Sequence, residues 1–224
     1  MNAPPVGIPA GDLSLRITEI FHSIQGESRP VGLPTVFVRL TGCPLRCHWC
    51  DTAYAFQGGQ RRDIAGILAE VGRYGTRQVC VTGGEPLAQP ACLDLLAALC
   101  DAGFVVSLET SGALDIAGVD PRVTVVLDIK APGSGEAARN RLANLPLLRS
   151  TDQIKVVLRD RADYDWAREF LASHELPGRC EVLFSPVWGE LDARNLAEWI
   201  LADRLPVRFQ LQLHKLLWGN EPGH

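Results

Sequence analysis

The sequence predicts an α/β chain folded as one domain, a partial or modified (β/α) TIM-like barrel. Two observations carry that expectation. Short β-rich runs alternate with segments of helical apolar spacing along the chain. Several runs, such as 123–127, are apolar almost throughout, as strands covered on both faces are. Strands so alternated are mostly parallel, because parallel neighbours need a crossover of about a dozen residues. An open doubly wound sheet is the alternative arrangement. In either, chemistry collects beyond the C-terminal ends of the strands.

Taken in order, residues 1–13 come first as a loose, flexible tail ahead of a core domain over 14–224. Residues 1–12 hold three prolines, two glycines and no Lys or Arg, so they lack the charged start and apolar stretch of a secretory signal. Strands are expected at 15–20, 35–40, 78–82, 104–109, 123–129, 153–158, 180–184 and 207–213. Helices are expected at 63–74, 90–102, 136–145, 162–174 and 191–203. Asp63 is placed to cap the first helix, with Gly75 just past its end, and Gly103 closes the second.

At 224 residues and 46% apolar composition the chain can bury one sizeable core. Its formal charge of −4 excludes a nucleic-acid binder that works by a general basic field. No apolar run approaches the roughly 20 residues of a membrane span. Seven cysteines cannot all pair with one another, and three of them crowd into eight residues. The chain is therefore expected in a reducing, cytoplasmic compartment. Cys80, Cys92, Cys100 and Cys180 lie among apolar neighbours and read as packed thiols.

The three clustered cysteines follow an expected strand, in Thr41-Gly-Cys43-Pro-Leu-Arg-Cys47-His-Trp-Cys50-Asp-Thr52. Three thiolates around one centre select zinc or an iron–sulfur cluster. A structural zinc site wants four protein ligands, and His48, inside the Cys47–Cys50 loop, converges awkwardly. Three ligands on a cluster leave one metal position open, which a reactive site needs. A second strand runs into Thr82-Gly-Gly-Glu-Pro86, where paired glycines admit close backbone approach and Glu85 offers an acceptor for an ammonium.

Together the C-x3-C-x2-C loop and the Gly-Gly-Glu-Pro turn resemble the radical S-adenosylmethionine (SAM) superfamily. That resemblance implies a radical SAM type of barrel and a 4Fe–4S cluster on Cys43, Cys47 and Cys50. The fourth iron would chelate SAM, which is cleaved to a 5′-deoxyadenosyl radical. Within the superfamily four stretches resemble the 7-carboxy-7-deazaguanine synthase family of queuosine biosynthesis. They are Glu19-Ile-Phe-His-Ser-Ile-Gln-Gly-Glu27, Cys50-Asp-Thr52, Glu109-Thr-Ser-Gly112 and Gln210-Leu-Gln-Leu-His-Lys215.

The family resemblance implies a lyase that converts 6-carboxy-5,6,7,8-tetrahydropterin to 7-carboxy-7-deazaguanine with loss of ammonia. It implies substrate contacts from Ile24, Gln25, Gly26 and Glu27, with Arg39 on the substrate carboxylate and further contacts from Thr82, Glu109 and His214. Thr52 is implied as a ligand to Mg²⁺, a hard ion that often takes few protein ligands. Beside the cluster, Trp49, Cys50 and Asp51 match SAM contacts, as do Gly84 and Glu85 in the glycine turn. Further SAM contacts are implied in Asp128-Ile129-Lys130, where the family often has Ser-Pro-Lys, and in Ser185, Pro186, Val187 and Trp188.

A flavodoxin-type reductant and a homodimer are the family expectation, with no nucleic-acid or membrane partner. Some members close the pocket with their terminal carboxylate, and this chain runs on past that point to His224. Alternatives are a glycyl-radical-enzyme activase, an iron–sulfur electron carrier and a zinc-structured binding module.

Overall fold

The computed structural model describes residues 13–221 and 223. Strands β1 (Ser14–Ile24), β2 (Pro34–Leu40) and β3 (Gln60–Asp63) come first, followed by helix α1 (Ile64–Gly72) and strand β4 (Gln78–Gly83). Helix α2 (Cys92–Asp101) leads into β5 (Val105–Thr110), β6 (Thr124–Asp128) and β7 (Gln153–Leu158). Helix α3 (Arg161–Ser173), β8 (Glu181–Pro186), α4 (Ala193–Asp203), β9 (Arg208–Phe209) and α5 (Leu213–Trp218) complete the order.

All nine strands form one sheet in the order β3-β1-β2-β4-β5-β6-β7-β8-β9. From β2 to β9 neighbours run parallel, whereas β1 is antiparallel to both β2 and β3. The two end strands do not meet, so the expected barrel is partial and the sheet stays open.

Side chains alternate across each strand, and the alternation divides the molecule into a packed face and a working face. Val36, Val38 and Leu40 of β2, Val79 and Val81 of β4, and Val106 and Leu108 of β5 share a core with Ile67, Val71, Leu95, Leu96 and Leu99 of α1 and α2. Val125, Leu127, Ile154, Val156, Val182 and Phe184 do the same with Tyr164, Leu171, Leu196 and Ile200 of α3 and α4. The longer helices therefore all cover one face, which excludes the doubly wound alternative. The opposite residues, among them Arg39, Thr82, Glu109, Asp128 and Lys155, line a cavity instead. These strands look apolar on both faces because the cavity side also carries Phe37, Val126 and Val157.

Helix starts follow the sequence. Asp63 accepts from Gly66 N at 2.9 Å, Asp160 from Asp163 N at 3.0 Å and Asp192 from Arg194 N at 2.8 Å. Each cap is worth about 1 kcal/mol. Gly75 and Gly103 take positive φ beyond α1 and α2, as expected.

Three element expectations are corrected. Residues 136–145 form no α-helix, only 3-10 turns at Ala137–Arg139 and Leu142–Leu147. Asparagine explains it, because its amide competes for backbone groups. Asn140 bonds the N–H and carbonyl of Lys130, and Asn144 bonds the carbonyls of Gly112 and Leu114 and the N–H of Ile116. The expected strand at 207–213 shrinks to Arg208–Phe209, and Leu213 opens α5. Strand β3 was not foreseen, since Gln60-Arg-Arg-Asp63 is a polar edge with no apolar alternation. The expected tail lies outside the described residues apart from Leu13. Among the described residues no helix is long and apolar enough to cross a membrane. Cys80, Cys92 and Cys180 are buried and Cys100 half-buried, all as free thiols, as expected of packed cysteines.

Candidate active site

The cavity, of about 650 Å³, lies on the face the longer helices leave bare and runs from the C-terminal ends of the parallel strands to the loop that follows β1. The residues singled out from sequence meet here, with four exceptions: Glu85, Ile129, Ser185 and Pro186 are not on its wall. Ile129 sends its side chain into the core under α3. Ser185 and Pro186 end β8 fully buried, next to Val187 and Trp188, which do line the cavity.

Glu85 lies behind the wall. It has no exposed surface, and its carboxylate accepts from Thr110 Oγ1 at 2.9 Å, Ser111 N at 2.7 Å, Ser111 Oγ at 2.5 Å and Leu87 N at 3.0 Å. A buried carboxylate is retained when donors saturate it, and these donors tie the glycine turn to the end of β5. The turn presents Gly83 and Gly84 to the cavity, and the end of β5 presents Thr110 and Ser111.

The cysteine loop leaves β2 and is laced to that turn. Gly84 N donates to Leu40 O at 3.2 Å and Glu85 N to Gly42 O at 2.7 Å. Gly84 must be glycine: a Cβ there would lie 2.3 Å from Gly42 O and 2.8 Å from Cys43 Cβ. On the other side Arg46 N donates to the Glu136 carboxylate at 2.6 Å, and the Arg46 guanidinium sits 4.2 Å over the Phe56 ring. Cys43, Cys47 and Cys50 all face the cavity as free thiols. Burial pushes the Cys43 and Cys47 thiols above their ordinary value.

His48 lines the same cavity, its Nδ1 3.1 Å from Gly133 O in the turn that follows β6. Among the described residues no three His, Cys, Asp or Glu side chains converge as the ligands of one ion would. Three thiols that face one cavity are the donor set an iron–sulfur cluster with one iron free would take, whereas a structural zinc site would want a fourth protein ligand.

Charged groups crowd the rest of the wall. Lys155 Nζ lies 2.9 Å from Glu27 Oε2, 3.6 Å from Asp128 Oδ2 and 3.9 Å from Glu109 Oε2. Lys130 Nζ lies 3.0 Å from the same Asp128 oxygen. Burial pushes Glu27 up, but the charge and hydrogen bond of Lys155 together with His214 outweigh it and hold the carboxyl below its ordinary value. Burial prevails at Glu109, which lies above its ordinary value despite Lys155. Two carboxyls in one cavity are thus pushed apart.

Asp51 accepts from Thr52 Oγ1 at 2.9 Å and pairs with Lys215 Nζ at 2.7 Å. Burial opposes those partners, yet they hold Asp51 down at about 2. Arg39 is engaged by Glu19, Nε to Oε1 at 2.6 Å, and Tyr54 OH donates to the same oxygen at 2.8 Å. Burial and Glu19 push Tyr54 up to about 12.

The C-terminal helix closes one side. Leu213 N donates to Gly26 O at 3.0 Å, and a Cβ on Gly26 would lie 2.1 Å from His214 Nδ1. Beyond α5, Gly219, Asn220, Glu221 and Gly223 extend the wall. Among the described residues, Ser23 Oγ, Gln25 Nε2, Glu27 Oε1, Asp128 Oδ1 and Ser185 Oγ are buried without a protein partner. Three of them, on Gln25, Glu27 and Asp128, belong to cavity residues, as in a site shaped for a polar ligand.

Lys155 and Tyr54 were not singled out from sequence, and Glu19 and Lys215, though they stand at the ends of two of the family-like stretches, were given no role. For Lys155 a signal exists: it is a lone charge at an inward position of Gln153-Ile-Lys-Val-Val-Leu158. The others signal nothing alone, because their partners lie about 20 to 164 residues away in sequence.

An open parallel sheet with helices on one face, and a three-cysteine loop at a strand end beside a glycine turn, define a radical SAM protein. The model of the radical SAM superfamily matches residues 37–125, from within β2 to within β6. The chain is 49% identical to the 7-carboxy-7-deazaguanine synthase of Chlorobaculum tepidum over 92% of its length and 94% of that protein. It is 42% identical to the synthase of Koribacter versatilis, covering 92% of this chain and 98% of that one. The crystal structure of QueE from Escherichia coli superposes with a TM-score of 0.75 at 26% identity, over 90% of this chain and 95% of that one. The chain belongs to the 7-carboxy-7-deazaguanine synthase family.

Proposed function

We propose that this chain is a radical SAM lyase that converts 6-carboxy-5,6,7,8-tetrahydropterin to 7-carboxy-7-deazaguanine with loss of ammonia, a step of queuosine biosynthesis. The carrying observation is a single cavity that joins the three-thiolate loop to unpartnered polar atoms on Gln25, Glu27 and Asp128.

Cys43, Cys47 and Cys50 would hold the cluster and leave one iron for SAM. Once bound, the cluster and SAM would supply radical chemistry for hydrogen abstraction from the substrate. The chain's own residues bind and orient. Gly83 and Gly84 let the backbone approach the methionine end of SAM, with Ser111 and Thr110 held in place by Glu85. Trp49, Asp128, Lys130, Val187 and Trp188 would complete that half. Ile129, Ser185 and Pro186 support it from behind the wall. Gln25 Nε2 and Glu27 Oε1 offer a donor and an acceptor to the pterin edge. Arg39 keeps guanidinium hydrogens for the substrate carboxylate after Glu19 takes its Nε. Ile24, Gly26, Thr82, Glu109 and His214 shape the remainder of that half. Burial holds His214 below its ordinary value, so it sits neutral near pH 7.

Thr52 is our candidate for the Mg²⁺ ligand, with Asp51 holding its hydroxyl. Mg²⁺ would orient the substrate oxygens and neutralise charge that develops during rearrangement. A flavodoxin-type donor, a homodimer and a cytoplasmic setting complete the reading. A zinc-structured module is disfavoured by His48, the nearest further ligand in sequence, whose Nδ1 is taken by Gly133 O. The test is anaerobic turnover of the carboxypterin with SAM, reductant and Mg²⁺, followed by mass spectrometry. Appearance of the carboxydeazaguanine is the expected result. SAM cleavage without that product would reject the substrate assignment.

A further inference from the structure

Lys155 stands on β7 with its side chain 9% exposed, deep on the concave face. Its neighbours come from three separate elements: Glu27 from the loop after β1, Glu109 from β5 and Asp128 from the end of β6. A buried ammonium is tolerated only where anions surround it. Asp128 already has Lys130 at 3.0 Å, so the shortest contact of Lys155 goes to Glu27. That contact uses Oε2 alone. Oε1 of Glu27 is buried with no protein partner, as is Nε2 of Gln25 two residues before it.

An ionised carboxylate only accepts hydrogen bonds, whereas a protonated one also donates. Without a cation beside it, a carboxyl buried among Glu109, Asp128 and Asp51 would take up a proton or swing away. Lys155 prevents both by charge and by direct contact.

We propose that Lys155 is a positioning residue for the substrate: it anchors Oε2 of Glu27 so that Oε1 meets a ring N–H or amino group of the heterocycle as an acceptor. This rests on the pterin reading above. Lys155 acts through Glu27 and touches no reacting atom.

The test uses anaerobically reconstituted enzyme in five forms: wild type, Lys155→Met, Lys155→Arg, Glu27→Gln and the Lys155→Met/Glu27→Gln double variant. Lys155→Met should raise KM for the carboxypterin about tenfold or more, the worth of one charge-assisted hydrogen bond, with kcat and SAM affinity within about twofold. Lys155→Arg should recover most of that loss. On the Glu27→Gln background Lys155→Met should add less than about twofold, because the two changes break one interaction. An unchanged KM, a loss confined to kcat, or a full additional loss in the double variant would each overturn the proposal. If Lys155→Met does not fold, Lys155→Gln, which keeps a donor without the charge, carries the same comparison with the same outcomes. Wild-type enzyme that cleaves SAM but leaves the carboxypterin intact would instead reject the pterin reading and this proposal with it, before any variant is compared.

Discussion

Gly84 has no room for a side chain, because Gly42 O and Cys43 Cβ occupy the space a methyl group would need. Both neighbours belong to the cysteine loop, so the clash acts on the cluster ligands. Gly84→Ala should therefore fold, since β4 ends at Gly83, yet incorporate less than about half the wild-type iron on anaerobic reconstitution. Iron and sulfide analysis against circular dichroism checks this. Thr52→Ala should weaken the response of turnover to Mg²⁺ while iron content stays at the wild-type level. A metal response identical to wild type would remove Thr52 from the magnesium site. Glu27 and Glu109 make opposite contributions to stability. The folded value of Glu27 is lowered from 4.5, so its stabilisation is present above pH 4.5 and lost as pH falls through the lowered value. That of Glu109 is raised from 4.5, so its favourable share is present below pH 4.5 and lost as pH rises to the raised value. At neutral pH Glu27→Gln should destabilise by about 1–3 kcal/mol, because Lys155 loses its closest partner. Glu109→Gln should be neutral or stabilising there, as functional carboxyls often are when removed. Thermal melts from about pH 3 to pH 8 separate the two signs.

At the scale of elements, the loops carry the site and the helices hold the strands that aim them. The legible part of the sequence was the part with local period: each parallel strand of four or more residues and the four longer helices were foreseen, as was the cysteine loop. What escaped depends on distant partners. Residues 136–145 have apolar positions at helical spacing, yet Asn140 and Asn144 spend their amides on residues 112–116 and 130. The edge strand β3 exists because Ser14–Ile17 of β1 lies open to it, not because its own residues favour extension. The same limit hid Lys215, whose partner Asp51 lies 164 residues away and is joined only when α5 docks. That docking has its own test. Gly26→Ala places a Cβ 2.1 Å from His214 Nδ1 and should displace α5. Limited proteolysis should then cut near residue 212 about tenfold faster, because cleavage follows local opening. An unchanged cleavage rate would show that α5 is held by other contacts.

Across the whole molecule, one rule accounts for the arrangement: helices cover one face of an open sheet and leave the other for chemistry. The cysteine loop, the glycine turn and the ends of β5, β6 and β8 share one end of the parallel strands, Ile24–Glu27 follows the antiparallel β1 at the other, and all of them meet around about 650 Å³. The sequence motifs place the chemistry because parallel strands all point their C-terminal ends the same way. They do not reveal the charge balance inside, which depends on Lys155 reaching across strands to Glu27, Glu109 and Asp128 and on Lys130 beside Asp128. The central claim is that Cys43, Cys47 and Cys50 hold a cluster with one iron free to bind SAM. Electron paramagnetic resonance of the reduced, anaerobically reconstituted protein, recorded with and without SAM, tests it most directly. A 4Fe–4S signal that changes when SAM is added, and is lost on replacing any of the three cysteines by alanine, is the expected result. A signal indifferent to SAM, or tightly bound zinc in place of iron, would contradict it.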